Sequence, residues 1–307
     1  MKALLLALIL PLSALAGDVA SPDTSGTDVT PEPSVSSNLK LSYEFDGETS
    51  FVGKARTNFG AGDTGGVSEL QTDERLIVSP QAGDGPLYRF GLAYQSYNFG
   101  FSKAAPLPDI LQAGNLILDA DFTIFNSVLI QLEADPGFYG DGRDTGFRDF
   151  NVPFTIGGSY ITGADLQWVG GVSLDFDRQI PVIPAIGLRW AVNDNWVIDA
   201  ILPTPRLEYD WSKELTLYLG GDFDDGTYRV DHGLGVALGR PRLSNAVVEY
   251  DEIRLGAGVN WKATKVFTFE IEGGYLPYRE FDFHRADTHF SNDDGALYGR
   301  VSLNTQF

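Results

Sequence analysis

The last twelve residues, ALYGRVSLNTQF, alternate between apolar and polar side chains. Leu297, Val301 and Phe307 fall on one face of an extended strand, and Arg300 and Asn304 fall on the other, because strand side chains alternate with a period of two. A strand that is apolar on one face and charged on the other is typical of a transmembrane β-barrel, which faces lipid outside and water inside. The pattern predicts an all-β, closed antiparallel transmembrane barrel.

The first sixteen residues have the order of a secretory signal peptide. They comprise a basic start, an apolar run that ends at Leu12, and the A-x-A cleavage sequence Ala14-Leu15-Ala16. The next segment is rich in Ser, Thr, Asp and Pro with almost no apolar side chains, which is typical of a disordered tail. We therefore predict a signal peptide over 1–16, a disordered periplasmic tail over 17–37 and one barrel domain over 38–307.

Composition excludes several classes of protein. No segment has eighteen consecutive apolar residues, so a membrane-spanning chain of this sequence must cross with strands that close into a barrel. The net charge of −20 argues against nucleic-acid binding and against a polybasic membrane anchor. The chain has no cysteine, which rules out disulfides, thiol catalysis and cysteine-based metal sites. No cofactor is expected.

Turn signals divide the barrel region into strands. Short turns are predicted at 124–127, 162–165, 192–195, 212–214 and 262–264, and longer connections at 49–66, 100–112, 135–149, 222–244 and 285–295. Short turns on one rim and long loops on the other are the asymmetry of outer-membrane barrels, with the short turns in the periplasm. Strands are predicted to start near residues 38, 66, 86, 114, 127, 152, 165, 184, 195, 205, 214, 247, 264 and 296. This gives about 14 strands, with 12 to 16 compatible with the pattern, and an even count places both termini in the periplasm.

All five tryptophans lie within a few residues of a predicted short turn and on the apolar face of a strand. We expect them to form an aromatic girdle at the periplasmic interface, where an amphipathic ring is favoured. The girdle comprises Trp168, Trp190, Trp196, Trp211 and Trp261.

Two resemblances to bacterial proteins support the barrel. The chain ends on Phe307 after an alternating strand, which resembles the terminal signal that the outer-membrane assembly machinery reads. The stretches FNVPFTIGGSYI, IPVIPAIGLRWAVNDNWVIDAILPTPRLEYDWSKELTLYLGG and YDEIRLGAGVNW resemble a family of predicted outer-membrane β-barrels of unknown function. This resemblance covers most of 85–307 and is most specific over 180–219. It implies a barrel and brings no catalytic or ligand-binding residues.

The predicted inward faces carry most of the candidate functional residues. We expect the lumen to be lined by Asp119, Asp121, Glu133, Asp175, Arg189, Asp199, Glu208, Asp210, Glu252, Arg254, Glu270, Glu272 and Arg300. Arg206 falls on the same faces, and Arg189 and Asp199 are expected to pair across a short turn. Charges enclosed in a barrel must be paired or solvated. Two interpretations stay open: the charges pair and fill a narrow interior, or they line a water-filled pore whose carboxylate excess favours cations.

The loops offer weaker candidates. Asp282, His284 and His289 could ligate a metal or do acid–base work, but their spacing matches no zinc motif, and a solvated acidic loop is the simpler interpretation. The segment 141–149 likewise lacks a calcium-loop pattern. No G-x-S-x-G sequence is present, so a hydrolase at the barrel rim is only a minor alternative.

The leading hypothesis is a passive channel or uptake pore for small polar or cationic solutes in the outer membrane of a Gram-negative bacterium. The alternative is a closed structural or interaction barrel that works through its acidic extracellular loops. Both place the chain among outer-membrane lipid and lipopolysaccharide, after export through a cleaved signal peptide and assembly through the C-terminal strand.

Overall fold

The structure, a computed structural model, describes residues 39–59, 64–82, 85–103, 105–124 and 127–307. The predicted signal peptide and the whole of the predicted tail over 17–37 lie outside the described residues. The strands are β1 Leu39–Asn58, β2 Thr64–Ala82, β3 Leu87–Phe101, β4 Ile110–Ile124, β5 Val128–Ala134, β6 Gly137–Gly140, β7 Phe150–Asn151, β8 Phe154–Thr162, β9 Leu166–Leu174, β10 Val182–Ala191, β11 Trp196–Asp199, β12 Arg206–Asp210, β13 Leu215–Arg229, β14 Val247–Lys262, β15 Phe267–Phe283, β16 Thr288–Ser291 and β17 Ala296–Gln306.

The strands form a closed antiparallel barrel with 14 positions in its wall. Strand β6 continues β5, β7 precedes β8, and β16 pairs only with the end of β15. The remaining strands pair with their chain neighbours, and β17 closes the ring by pairing with both β15 and β1. Tyr43 and Phe307 exchange backbone hydrogen bonds, so the start of β1 and the end of β17 lie at the same rim. The predicted closure and strand number are confirmed.

The alternation in β17 matches the prediction. Leu297 and Val301 are 75% and 55% exposed, whereas Tyr298 and Arg300 are 7% and 6% exposed. Many further apolar side chains on other strands are likewise exposed, among them Leu92, Leu219 and Ile271. An exposed apolar belt around a charged interior is the reverse of a soluble protein, and it indicates that lipid covers the outside. Across the described residues, no helix is long and apolar enough to span a membrane.

The connections at the two rims differ as predicted, with two corrections. The predicted loop over 49–66 is wrong, because β1 continues to Asn58 and β2 begins at Thr64. The predicted loop over 222–244 is also wrong in its first part, because β13 continues to Arg229. A short helix, α1 His232–Ala237, and a 3₁₀ turn at Pro241–Leu243 follow β13. These corrections extend the sheet at the rim with long connections, which we call the long-loop rim.

Strands β11 and β12 have only 4 and 5 residues, fewer than the 9–11 that a tilted strand needs to cross a bilayer. The segment 200–205 continues the wall above them. Ala200 donates its backbone N–H to Leu188, and Gly221 and Phe223 donate theirs to Pro205 and Pro203. Proline lacks an N–H, so a proline-rich segment can accept hydrogen bonds but offers fewer donors to leave unsatisfied in lipid.

Candidate functional site

The lumen is the candidate functional site, and contacts between non-adjacent strands cross it. Glu252 and Arg254 lie on β14 and face inward, whereas Leu255 on the opposite face is 52% exposed. Arg254 contacts Glu69 of β2 with an Nη2–Oε1 distance of 2.9 Å. Since β15, β17 and β1 separate β14 from β2 in the wall, this contact spans the interior.

Four charges form a closed square at this point. Arg254 Nη2 also lies 2.8 Å from Glu252 Oε1, and Arg279 Nη2 lies 2.9 Å from Glu69 Oε2 and 3.2 Å from Glu252 Oε2. All four side chains are at most 1% exposed. Tyr250 donates its hydroxyl to Glu69 as well. Two positive and two negative charges that alternate around a square neutralise one another, which is the arrangement that buried charges require.

The outer half of β13, residues 222–229, runs through the barrel interior. Strand β12 pairs with β13 only as far as Gly220, whereas Arg229 pairs with Gly140 of β6 on the opposite side of the barrel. The Asp141 N–H also donates to the Arg229 carbonyl at 3.1 Å. Beyond Phe223, β13 therefore leaves β12 but stays paired with β14 as far as Arg229, and its two faces contact two different parts of the barrel, as described below.

One face of this segment contacts β2 and β3, which we call the β2–β3 interface. Tyr97 donates its hydroxyl to Asp224 Oδ2 at 2.5 Å, and Gln71 donates its amide to the same oxygen at 3.0 Å. The Tyr228 hydroxyl donates to Gln95 Oε1 at 2.8 Å. These bonds hold the even-numbered face of β13 against the far wall.

The other face contacts β7 and the connection that follows β9, and we call this contact the β9 interface. Thr227 donates to Asp175 Oδ2 at 2.6 Å, and Asn151 donates to Asp175 Oδ1 at 2.9 Å. Arg178 Nη2 lies 2.7 Å from Asp225 Oδ1, with both side chains nearly fully buried. Consecutive residues of β13, Asp224 and Asp225, thus bind opposite walls of the barrel.

Aromatic side chains fill the lumen next to the β2–β3 interface. The Tyr97 and Tyr250 ring centroids are 4.9 Å apart, and those of Phe99 and Phe281 are 5.0 Å apart. Leu243, from the 3₁₀ turn after α1, is 1% exposed and covers the same cluster. We call this set the aromatic core; it comprises Phe59, Val67, Tyr97, Phe99, Leu107, Leu111, Ala113, Tyr228, Val230, Leu243, Ala246, Val248, Tyr250, Phe281, Phe283, Ala286 and Phe290. It closes this side of the long-loop half with apolar packing.

The half of the lumen near the short turns holds ion pairs along the wall and across it. Arg189 lies opposite Asp199 in the register of β10 and β11, and Arg189 Nη1 lies 2.5 Å from Asp199 Oδ2, so that predicted pair is confirmed. Arg189 also reaches Glu208 at 3.1 Å and is 34% exposed, so water contacts this group. On β3 and β4, Arg89 bridges Asp119 and Asp121 at 3.1 and 2.5 Å.

A further cluster connects β12, β13, β15 and β17. Arg206 binds Glu270 through two hydrogen bonds of 2.9 and 3.1 Å. Arg300 Nη2 lies 2.6 Å from Glu272 Oε2, and its Nη1 contacts Asp222. The Arg206–Glu270 and Arg300–Asp222 contacts skip at least one wall strand, so they too cross the interior.

The structure gives each predicted lumen residue a position. Asp119, Asp121, Glu133, Asp175, Glu252, Arg254, Glu272 and Arg300 are buried, and Arg189, Asp199, Glu208, Asp210 and Glu270 are partly exposed. Asp175 lies just after the end of β9 rather than within a strand. Glu252 lies next to Arg254, and Glu270 and Glu272 lie next to Arg300. Arg189 and its partners Asp199 and Glu208 form a separate group that does not contact the square of Arg254, Arg279, Glu69 and Glu252.

The tryptophans all lie on the outer surface near the short turns. Trp168, Trp190, Trp196, Trp211 and Trp261 are 40–68% exposed. Trp196 packs on Tyr209 with ring centroids 4.9 Å apart, and Trp261 packs on Phe269 at 5.9 Å. This is the location that an interfacial girdle requires.

The acidic and histidine-containing loop forms no compact site. Asp282 and His289 are cross-strand partners of β15 and β16, whereas His284 Nδ1 lies 4.0 Å from Glu249. Burial, together with nearby Arg285, lowers the pKa of His284 below its ordinary value. Within the described ranges, no group of three or more His, Asp or Glu side chains could hold a metal ion.

Sequence reasoning missed several interior residues. Glu69 and Gln71 lie on β2 opposite the exposed Leu70, so two-residue alternation alone could have found them. Arg279 could not be found in this way. Two residues of β15, Leu276 and Pro277, form a bulge that shifts the register against β14 and reverses which face points inward.

Comparisons with known proteins give only structural likenesses. No protein-family model matches the chain, and no curated protein matches it. An outer membrane channel from Pseudomonas putida F1 is similar at 10% identity and a TM-score of 0.45, covering 91% of this chain and 100% of that one. A mutant of the TodX monoaromatic hydrocarbon channel has 9% identity and a TM-score of 0.41, covering 87% and 90%. The KdgM porin with oligogalacturonate has 11% identity and a TM-score of 0.36, covering 86% and 99%. The assignment as a 14-stranded barrel rests on the strand pairing of this chain.

Proposed function

We propose that this chain is an outer-membrane channel for small polar solutes, with a preference for cations, and that the structure described is its closed conformation. The observation that carries the proposal is the enclosed charge near the short turns. Arg189 and Arg75 are 34% and 38% exposed in their side chains, which supports room for water beside the charges in this half of the lumen. Carboxylates outnumber arginines on the inward faces, which favours cations over anions.

Conductance of the purified, folded protein in planar bilayers tests this proposal. We expect discrete current steps, and in a KCl gradient a reversal potential that indicates preference for K⁺ over Cl⁻. Neutralising Glu208, whose carboxylate is partly exposed beside Arg189, should reduce that preference. A folded barrel that never conducts, even when the buried Arg178–Asp225 contact is weakened by substitution, would contradict a channel.

The second candidate is a closed structural or interaction barrel. The square of Arg254, Arg279, Glu69 and Glu252 favours it, because buried ion pairs across a lumen fill space that a pore would leave open. This candidate predicts silence in the same bilayer experiment. A rim hydrolase has less support: in the part of the chain that the structure describes, neither His284 nor His289 hydrogen-bonds to a serine or threonine hydroxyl.

We propose further that the protein resides in the outer membrane after export through a cleaved signal peptide over 1–16. Its partners there are lipid and lipopolysaccharide, and its C-terminal strand is read by the assembly machinery. Phe307 is 66% exposed and packs edge-on against Phe267, which leaves the terminal ring accessible on the outer surface. Mass spectrometry of the mature N-terminus and fractionation of cell membranes test these assignments.

A further inference from the structure

We infer that solute passes on the β9 side of the dividing segment of β13, and that the connection from Asp175 to Pro181 closes this route. The inference rests on the proposed channel function and goes beyond it by assigning the route and its gate. The β9 interface and the β2–β3 interface are the two candidate places to open, because β13 separates them.

Polar contacts hold the closing connection in place. Arg178 pairs with Asp225 at 2.7 Å, and the Gln179 N–H donates to Glu249 Oε2 at 2.8 Å. Asp177 lies 3.0 Å from Arg285 and 3.4 Å from Arg229. The connection exposes its apolar residues instead of packing them, since Phe176 is 76% exposed. When the connection swings outward, water hydrates both members of the buried Arg178–Asp225 pair and offsets the loss of the contact, so opening carries little apolar cost.

The β2–β3 side has the opposite character. Tyr97, Phe99 and Phe281 of the aromatic core are 7% exposed or less, and separating the walls there would expose them to water. Exposing buried aromatic surface is unfavourable in proportion to its area. Of the two interfaces, the β9 interface therefore opens more readily.

The wall on the β9 side suits small solutes that form hydrogen bonds. Thr155, Ser159 and Ser173 face inward and are at most 8% exposed. The Ser159 hydroxyl is buried and has no hydrogen-bond partner among the described residues, so opening of the route would leave it free to bond a passing solute. A Cβ added at Gly157 would meet only Gln131 Oε1, at 4.0 Å, so the wall there carries no bulk. Arg178 donates to the Ser173 hydroxyl at 3.4 Å in the closed conformation, so this hydroxyl becomes available when the connection moves outward.

Consecutive residues of β13 provide a matched test of the gate. Asp225→Asn weakens the contact with Arg178 on the β9 side, whereas Asp224→Asn makes the same chemical change on the β2–β3 side. We expect Asp225→Asn to raise the open probability in planar bilayers about tenfold, and Asp224→Asn to change it less than about twofold. Arg178→Gln is a second variant that weakens the same contact and should act like Asp225→Asn.

Cysteine modification tests the route, because the sequence has no native cysteine. In the Asp225→Asn background, Ser173→Cys lies on the proposed route and Ala113→Cys lies in the aromatic core. A charged thiol reagent should reduce the current through the Ser173→Cys variant by more than about half and leave the Ala113→Cys variant unchanged.

The outcomes separate the inference from the proposed function. If Asp224→Asn opens the channel and Asp225→Asn does not, or if only Ala113→Cys is blocked, the route is overturned and the channel function stands. A last variant replaces residues 176–180 by a short glycine linker, and heat-modifiable migration shows whether each variant folds into a barrel. If every folded variant is silent, including this one, the proposed route and the proposed channel function both fail.

Discussion

The square of buried charges allows one stability prediction to be worked through. Arg254→Met removes a guanidinium that contacts Glu69 at 2.9 Å and Glu252 at 2.8 Å, and it leaves both carboxylates to share Arg279. Removing one partner of a buried pair costs about 3–5 kcal/mol, because the remaining charge is desolvated without compensation. We expect a loss of this size in the free energy of unfolding.

Urea unfolding from phospholipid vesicles, followed by tryptophan fluorescence, measures this loss, because all five tryptophans lie at the lipid-facing surface. The double variant Arg254→Met/Glu252→Met restores the charge balance around Glu69 and Arg279. It should lose less stability than Arg254→Met alone, with a coupling of at least about 1 kcal/mol.

Arg56→Met is the matched control. Arg56 and Asp294 form an ion pair whose side chains are 59% and 49% exposed, and exposed pairs contribute at most about 1 kcal/mol. If Arg254→Met were no more destabilising than Arg56→Met, or if the double variant lost more stability than Arg254→Met alone, the assignment of the square to a dry interior would be refuted.

Three further predictions concern the surface and the loops. Ile271→Arg places a charge on the lipid face, where Ile271 is 63% exposed, and should cost about 2–4 kcal/mol in the same unfolding assay if this site lies near mid-membrane. Phe307→Ala should lower the yield of heat-modifiable barrel in cell membranes, while the urea midpoint of the barrel that does fold changes little. Burial and Arg285 lower the pKa of His284 below its ordinary value of 6.5. The neutral side chain therefore contributes stability above pH 6.5, and this contribution is lost as the pH falls through the folded-state pKa. His284→Gln should reduce the loss of stability below pH 6.5, and an unchanged pH profile would contradict this.

Much of the wall could be predicted because lipid and water impose opposite demands on alternate residues. The predicted strand starts lie within four residues of those observed, and Arg189 and Asp199 pair as expected. The register is strongly specified where one face is buried against lipid, since a slip of one residue would expose charges to it.

The prediction failed where that demand is absent. The sequence from Gly220 to Arg229, GGDFDDGTYR, has polar residues on both faces and resembles a loop. Both faces are polar because both point into the interior, where Asp224 and Asp225 bind opposite walls. Nothing in the local pattern distinguishes such an internal strand from a solvated connection, because the distinction depends on β6, a segment distant in sequence. The bulge at Pro277 is likewise invisible to a fixed period of two.

The path of β13 through the lumen is the central structural claim, and an experimental structure of the protein in detergent or lipid tests it most directly. We expect Asp224 within hydrogen-bonding distance of Tyr97, and Asp225 paired with Arg178, on opposite sides of one strand. A β13 that stays beside β12 up to the long-loop rim, with Asp224 facing an open lumen and Asp225 facing lipid or solvent, would contradict the account.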